Sequence, residues 1–150
     1  MRLSDSRLLM IKALKKLVVP YLREHGFKGS FPHFRRQNEE HMDVITFQFN
    51  RYGGSFVVEV AICGKDGFTT SWGQKIPANK VTTYDLNLND RCRLRENTKK
   101  TGYNDPWFYY EEAKTDEDFE QVASKVQIRI QGVSDYNWIK KLVSLNEDWE

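Results

Sequence analysis

Between Val44 and Ile62 the chain alternates large apolar residues with polar or small ones at a period of two, a pattern that demands an extended, half-buried backbone. Ile45, Phe47 and Phe49 fall on one side, with Thr46, Gln48 and Asn50 on the other. The alternation resumes with Phe56, Val58, Val60 and Ile62 after Tyr52, Gly53, Gly54 and Ser55. Paired glycines tolerate the positive φ of a tight turn, so 44–63 is predicted to be a β-hairpin. Its strongly apolar face requires a second layer to cover it.

Helical spacing supplies that layer. Ile11, Leu14, Val18 and Leu22 share a face behind capping candidates Ser4, Asp5 and Ser6, which predicts a helix over 5–25, kinked at Pro20 and stopped by Gly26. Thr115 and Asp118 have the spacing of a capping box, and Phe119, Val122, Ala123, Val126 and Ile130 continue a second helix. Residues 126–131 also fit a strand through Val126, Ile128 and Ile130, and the two templates stay open here. Gly132 ends that segment. Ser134 or Asp135 then offers a cap for a third helix carrying Tyr136, Ile139, Leu142 and Val143.

Further strands are expected at His33–Gln37, after a turn with Gly29 and Pro32, at Phe68–Trp72, along 85–96, and in the aromatic run 107–110. Residues 73–84 and the stretch through Gly102 and Asn104 are expected to be loops. The sum is an α+β fold: a curved antiparallel sheet of about five strands, packed against the N-terminal helix and the C-terminal helices.

At 150 residues the chain has the length of a single domain, 1–150, which buries roughly 68–70% of its unfolded surface. With 39% hydrophobic and 13% aromatic residues it has a core to build and is no candidate for disorder. Cys63 and Cys92 lie in strand-like segments of a chain large enough to do without a disulfide, and both are read as reduced. Lysines interrupt any signal-like apolar run, and no apolar stretch is long enough to span a bilayer, so the expected location is cytoplasmic with no membrane partner.

A formal charge of +2 is too close to balance to predict a dedicated nucleic-acid binder. The charges are nevertheless segregated. Lys12, Lys15, Lys16, Arg23, Lys28, Arg35 and Arg36 face only Glu24 between residues 12 and 36, whereas Glu111, Glu112, Asp116, Glu117, Asp118 and Glu120 face only Lys114.

The sharpest polar pattern is Arg91, Arg93 and Arg95, which on one strand would set three guanidinium groups about 7 Å apart, suited to phosphate or carboxylate. Solvated arginines on the wet side of a strand are the ordinary explanation. Gln48, Asn50 and Glu59 fall on the second face of the hairpin beside Val57, Ala61 and Cys63, a mixture that suits a pocket or docking surface, and binding is assigned to Gln48, Glu59, Arg91, Arg93 and Arg95. Trp72 and Trp107 are read as core anchors before base-stacking platforms. His25, His33 and His41 match no compact metal motif, and the His41/Asp43 spacing is too common to signal catalysis; no metal, cofactor or catalytic residue is assigned.

The helix ending His25, Gly26, Phe27 and Lys28, followed by GSFPHFRR and DVITFQFNRYGGSFVVEVA, with DRCRL and Trp107 later, resembles a bacterial family described only as a domain of unknown function, the 4304 type. The resemblance runs to residue 110. It implies helices on an antiparallel sheet and a bacterial cytoplasmic setting, with no assigned activity, cofactor or catalytic residue. The segregated charges, the partly apolar second sheet face and the missing catalytic motifs instead lead to an expected function of non-catalytic binding of a protein partner, of immunity or accessory type. An anion or nucleic-acid binder using the arginine stripe is the alternative, and an enzyme built on a pocket with Gln48 and Glu59 is the third reading.

Overall fold

The alternating segment forms the centre of the sheet. The computed structural model describes residues 2–96 and 105–145. Its strands are β1 (Lys28–Ser30), β2 (His33–Gln37), β3 (Met42–Phe49), β4 (Ser55–Cys63), β5 (Gly67–Thr69), β6 (Lys75–Pro77), β7 (Arg91–Arg93) and β8 (Phe108–Tyr109). The helices are α1 (Leu3–Leu17), α2 (Val19–Glu24), α3 (Asp116–Arg129) and α4 (Trp138–Ser144). The main sheet runs β1-β2-β3-β4-β7, and β8 pairs with the other end of β4; β5 and β6 form a separate ribbon. Every pairing is antiparallel. The fold is α+β, as the patterns predict.

One face of the sheet carries Phe34, Ile45, Phe47, Phe56, Val58 and Val60, which pack with Met10, Leu14, Leu22, Phe119, Val126 and Ile139 from the helices. The second face carries Met42, Val44 and Ala61. It is covered by a strap, residues 78–90, rather than by water: Val81 and Leu86 from the strap are buried on it. This strap is three short 3₁₀ turns, Ala78–Lys80, Thr83–Asp85 and Leu88–Asp90.

Several boundaries differ from expectation, each for a local reason. The N-terminal helix is divided at Val18, which caps α1 and starts α2, and Pro20 sits in the first turn of α2, where its missing N–H has no helical partner to lose. None of Ser4, Asp5 and Ser6 caps α1; Arg2 holds that position without a side-chain bond. Lys28–Ser30 is a strand instead of part of a turn. The strand expected over Phe68–Trp72 stops at Thr69, because Thr70–Gly73 turns into β6 and leaves Trp72 at the tip, 76% exposed. Trp72 is therefore no core anchor.

The expected strand at 85–96 shrinks to Arg91–Arg93, since the Asp85 carboxylate accepts from Thr82 N and bends the backbone into a turn. The aromatic strand is Phe108–Tyr109. Residues 126–131 resolve as helix to Arg129 followed by a 3₁₀ turn, Gln131–Ser134. Burial shows why: Val126 and Ile130 are buried one helical turn apart, while Ile128, their companion in a strand, is 58% exposed. Gly132 does not end the helical region; it lets Trp138 close in, since a Cβ there would lie 2.4 Å from the indole. The third helix begins only at Trp138, because the Asp135 carboxylate accepts from Asn137 N in a turn instead of capping. The loop through Gly102 and Asn104 lies outside the described residues.

Candidate functional site: an arginine pocket on the second sheet face

Residues directly opposite in antiparallel strands point to the same side of the sheet. Register places Gln48 opposite Val57, Thr46 opposite Glu59, Glu59 opposite Arg93 and Ala61 opposite Arg91. Gln48, Glu59, Arg91 and Arg93 therefore share the second face. Together with Arg95, Tyr84 and Leu88 they line an open pocket of about 380 Å³. All five residues assigned to binding from sequence meet in this one concavity.

The arginines are not the solvated stripe of the ordinary reading. Glu59 is 5% exposed. Its Oε1 accepts from Arg91 Nη1 at 2.9 Å and its Oε2 from Arg93 Nε at 3.2 Å. Arg91 Nη1 also donates to Thr83 O at 2.9 Å, which ties the strap to the pocket floor. The guanidinium of Arg93 lies 6.0 Å from the Trp107 ring centre. Arg95 falls beyond the end of β7, where its Nη1 donates to Arg93 O at 2.8 Å, so the regular 7 Å stripe does not extend to it. Among the described residues that line the pocket there are three arginines and one carboxylate, and Arg91 and Arg93 are fixed by their bonds to it.

Tyr84 and Leu88 form the apolar rim, 49% and 73% exposed. Burial, then the Glu59 charge, pushes the Tyr84 phenol up, so it meets a ligand as a neutral hydroxyl. Periodicity could not reveal these two residues, because the strap has no period. The signal present was the Thr82/Asp85 spacing, the same arrangement as Thr115/Asp118: each pair forms a capping box.

His41 and Asp43 do come together, with Nε2 3.1 Å from Oδ1, but on the helical side of the sheet and in a structural role. Arg36, 2% exposed, donates Nε and Nη2 to Asp43 Oδ2 at 3.1 and 2.9 Å and Nη1 to the carbonyls of His25 and Val133. Its guanidinium lies between the Phe27 and Tyr136 rings, at 4.6 and 4.4 Å. Burial pushes the Asp43 carboxyl up, opposed by Arg36 and His41. The cluster rivets β2 and β3 to the turn after α3.

Among the described residues no group of three or more His, Cys, Asp or Glu side chains is placed to hold a metal ion. No helix among them is long and apolar enough to cross a membrane. No curated protein and no solved structure gives a significant match to the chain. A family model does match, over residues 18–133, which takes in the whole sheet, the arginine pocket and α3, and so reaches beyond the residues that carry the resemblance in sequence. Covering well over half of the chain, that match shows that the protein belongs to the family described as Domain of unknown function (DUF4304).

Proposed function

We propose that this chain is a non-catalytic binding module, a single domain whose arginine pocket receives an acidic segment of a protein partner. One observation carries the reading: Arg91 and Arg93 pair with a single buried carboxylate, Glu59, and Arg95 joins them in a pocket whose rim is exposed Tyr84 and Leu88. Arginine and tyrosine are among the residues most enriched where proteins anchor partners, and a cationic floor beside an apolar rim suits a carboxylate flanked by an apolar side chain. Both Glu59 oxygens accept from guanidinium groups, which supports a structural role for that carboxylate over a general base. An immunity or accessory role in a bacterial cytoplasm is the setting that fits such a module.

The test compares copurification with wild type and Arg93→Glu. A protein retained by the wild type, lost with the variant and weakened by added salt supports the reading. Retention of nucleic acid, or of the same protein by both forms, overturns it.

A further inference from the structure

The strap has a pocket on its other side. Lys28, Gly29, Arg35, Gln37, Ala78 and Asn79 line about 430 Å³ on the same sheet face as the arginine pocket, within the size range of small-molecule sites.

Two cations meet there in an arrangement that antiparallel pairing disfavours. Lys28 and Arg35 are direct register partners between β1 and β2, so both side chains leave the same face opposite each other. Like charges so placed repel. The lining holds no carboxylate. Asp85, which acts on Arg35 through space, already accepts from Thr82 N and Oγ1.

Arg35 is also held in position. Its Nε donates to Val81 O, which fixes the guanidinium plane, and among the described residues its Nη1 and Nη2 make no hydrogen bond. A guanidinium anchored through Nε presents its other edge as a ready pair of donors for an oxyanion. Gly29 keeps that edge accessible. At φ +113° a Cβ there would lie 2.6 Å from His33 O and 3.3 Å from Arg35 Nη1, inside the space the guanidinium uses.

From this juxtaposition we propose that the Lys28/Arg35 pocket is a second binding site, for a small organic anion whose phosphate or carboxylate group sits between the two cations and whose body rests against Ala78. Asn79 and Gln37 supply amides at the pocket wall, and Gln37 donates Nε2 to Lys65 O, which holds that wall in place. The site is separate from the arginine pocket and stands whether or not that pocket binds a protein.

Calorimetric titration of the full chain at low ionic strength tests it, with inorganic pyrophosphate and citrate as probes. Saturable binding of either that Lys28→Glu weakens and Arg93→Gln does not supports the site, the reverse pattern overturns it, and the preferred probe tells phosphate from carboxylate. Lys28→Glu should weaken binding at least about tenfold, the effect of losing one charge-assisted contact. Lys28 is exposed, so that variant keeps the fold, to be checked by circular dichroism. Arg35→Lys should weaken binding while retaining charge, through loss of the paired donors. Arg93→Gln, in the other pocket, should leave it unchanged. Absence of saturable binding by both probes, or wild-type affinity in Lys28→Glu, overturns the proposal.

Discussion

Arg35 on β2 and Arg91 on β7 hold one strap from either side of the central hairpin: Arg35 Nε donates to Val81 O and Arg91 Nη1 to Thr83 O, two residues apart on the same segment. Register puts the two arginines in one row, Arg35–Val44–Ala61–Arg91, with Val44 and Ala61 buried beneath Val81 and Leu86. Long cationic side chains from β2 and β7 thus flank the small apolar ones that fill the row between them. Without them the strap would depend on a few apolar contacts and the Thr83 N to Thr46 Oγ1 bond at 3.3 Å.

Replacing either clamp with lysine should therefore loosen the strap before the sheet. A lysine keeps the charge but cannot give Glu59 and Thr83 O the same fixed donors. Amide hydrogen exchange resolved by segment is the measurement. Arg91→Lys should speed exchange across 78–90 while residues 44–62 stay protected, the behaviour of a locally opening unit. Equal acceleration in both segments would show that strap and sheet open together.

Glu59→Gln should move stability and ligand affinity in opposite directions. It leaves Arg91 and Arg93 without their counter-charge, and their side chains are 20% and 39% exposed, so water offsets part of the loss. A decrease of about 1–3 kcal/mol in unfolding free energy is expected from urea titration. The same change makes the pocket more positive, so an acidic peptide should bind more tightly to the folded variant. Tighter binding without lost stability would mean the carboxylate is not needed to hold the arginines.

Asp43→Asn should be among the most damaging single changes. Arg36 is buried with its charge balanced by Asp43, and removing one partner of such a pair typically costs about 3–5 kcal/mol because the other charge stays desolvated. Urea unfolding measures it. A double replacement, Arg36→Met with Asp43→Leu, should recover most of the loss; failure to recover would place the cost in the carbonyl bonds of Arg36 to His25 and Val133.

Which parts of this molecule were legible in sequence follows from where a period operates. Ile45, Phe47 and Phe49 had to share a face, and they do; the capping box at Thr115 and Asp118 forms with both reciprocal bonds. The five assigned binding residues meet because Gln48, Glu59, Arg91 and Arg93 obey strand parity, which register then enforces across neighbouring strands. What escaped was set by tertiary contacts. No period runs through 78–90, so the strap and its rim residues Tyr84 and Leu88 were invisible. The Glu59 pairing was hidden too, because parity states which face a residue takes and not which partner meets it there. Charge counting could not show that Lys28 and Arg35 oppose each other, since that depends on β1, a strand too short to carry a pattern.

Both thiols should resist alkylation in the folded protein. Burial pushes the Cys63 thiol up to about 11 and the Cys92 thiol up to about 12, from an ordinary 9.0. At pH 8 Cys63 then holds roughly a hundredfold fewer thiolates than an ordinary cysteine, and Cys92 fewer still. Iodoacetamide labelling followed by mass spectrometry should find both largely unmodified in buffer and both modified in urea. Rapid labelling of Cys63 in buffer would show that the contacts around Met42 and Phe68 open readily.

His33 links the second sheet face to pH. Its Nδ1 lies 3.1 Å from Thr46 Oγ1, and its ring meets the edge of Tyr84 at 5.9 Å. Burial first, and the charge of Arg35 second, hold the imidazole below its ordinary 6.5, with Asp85 pulling the other way. The unfolded chain therefore takes up a proton near pH 6.5 that the fold resists until lower pH, so the unfolded state binds more protons in that window. Stability should decline as pH falls from about 7.5 to 5.5, and the decline attributable to this residue should vanish in His33→Gln, whose side chain does not titrate. Urea midpoints for the two proteins at matched pH values decide it. Parallel pH profiles would show that the imidazole protonates as readily in the fold as in the open chain, and that the strap leaves His33 in contact with water.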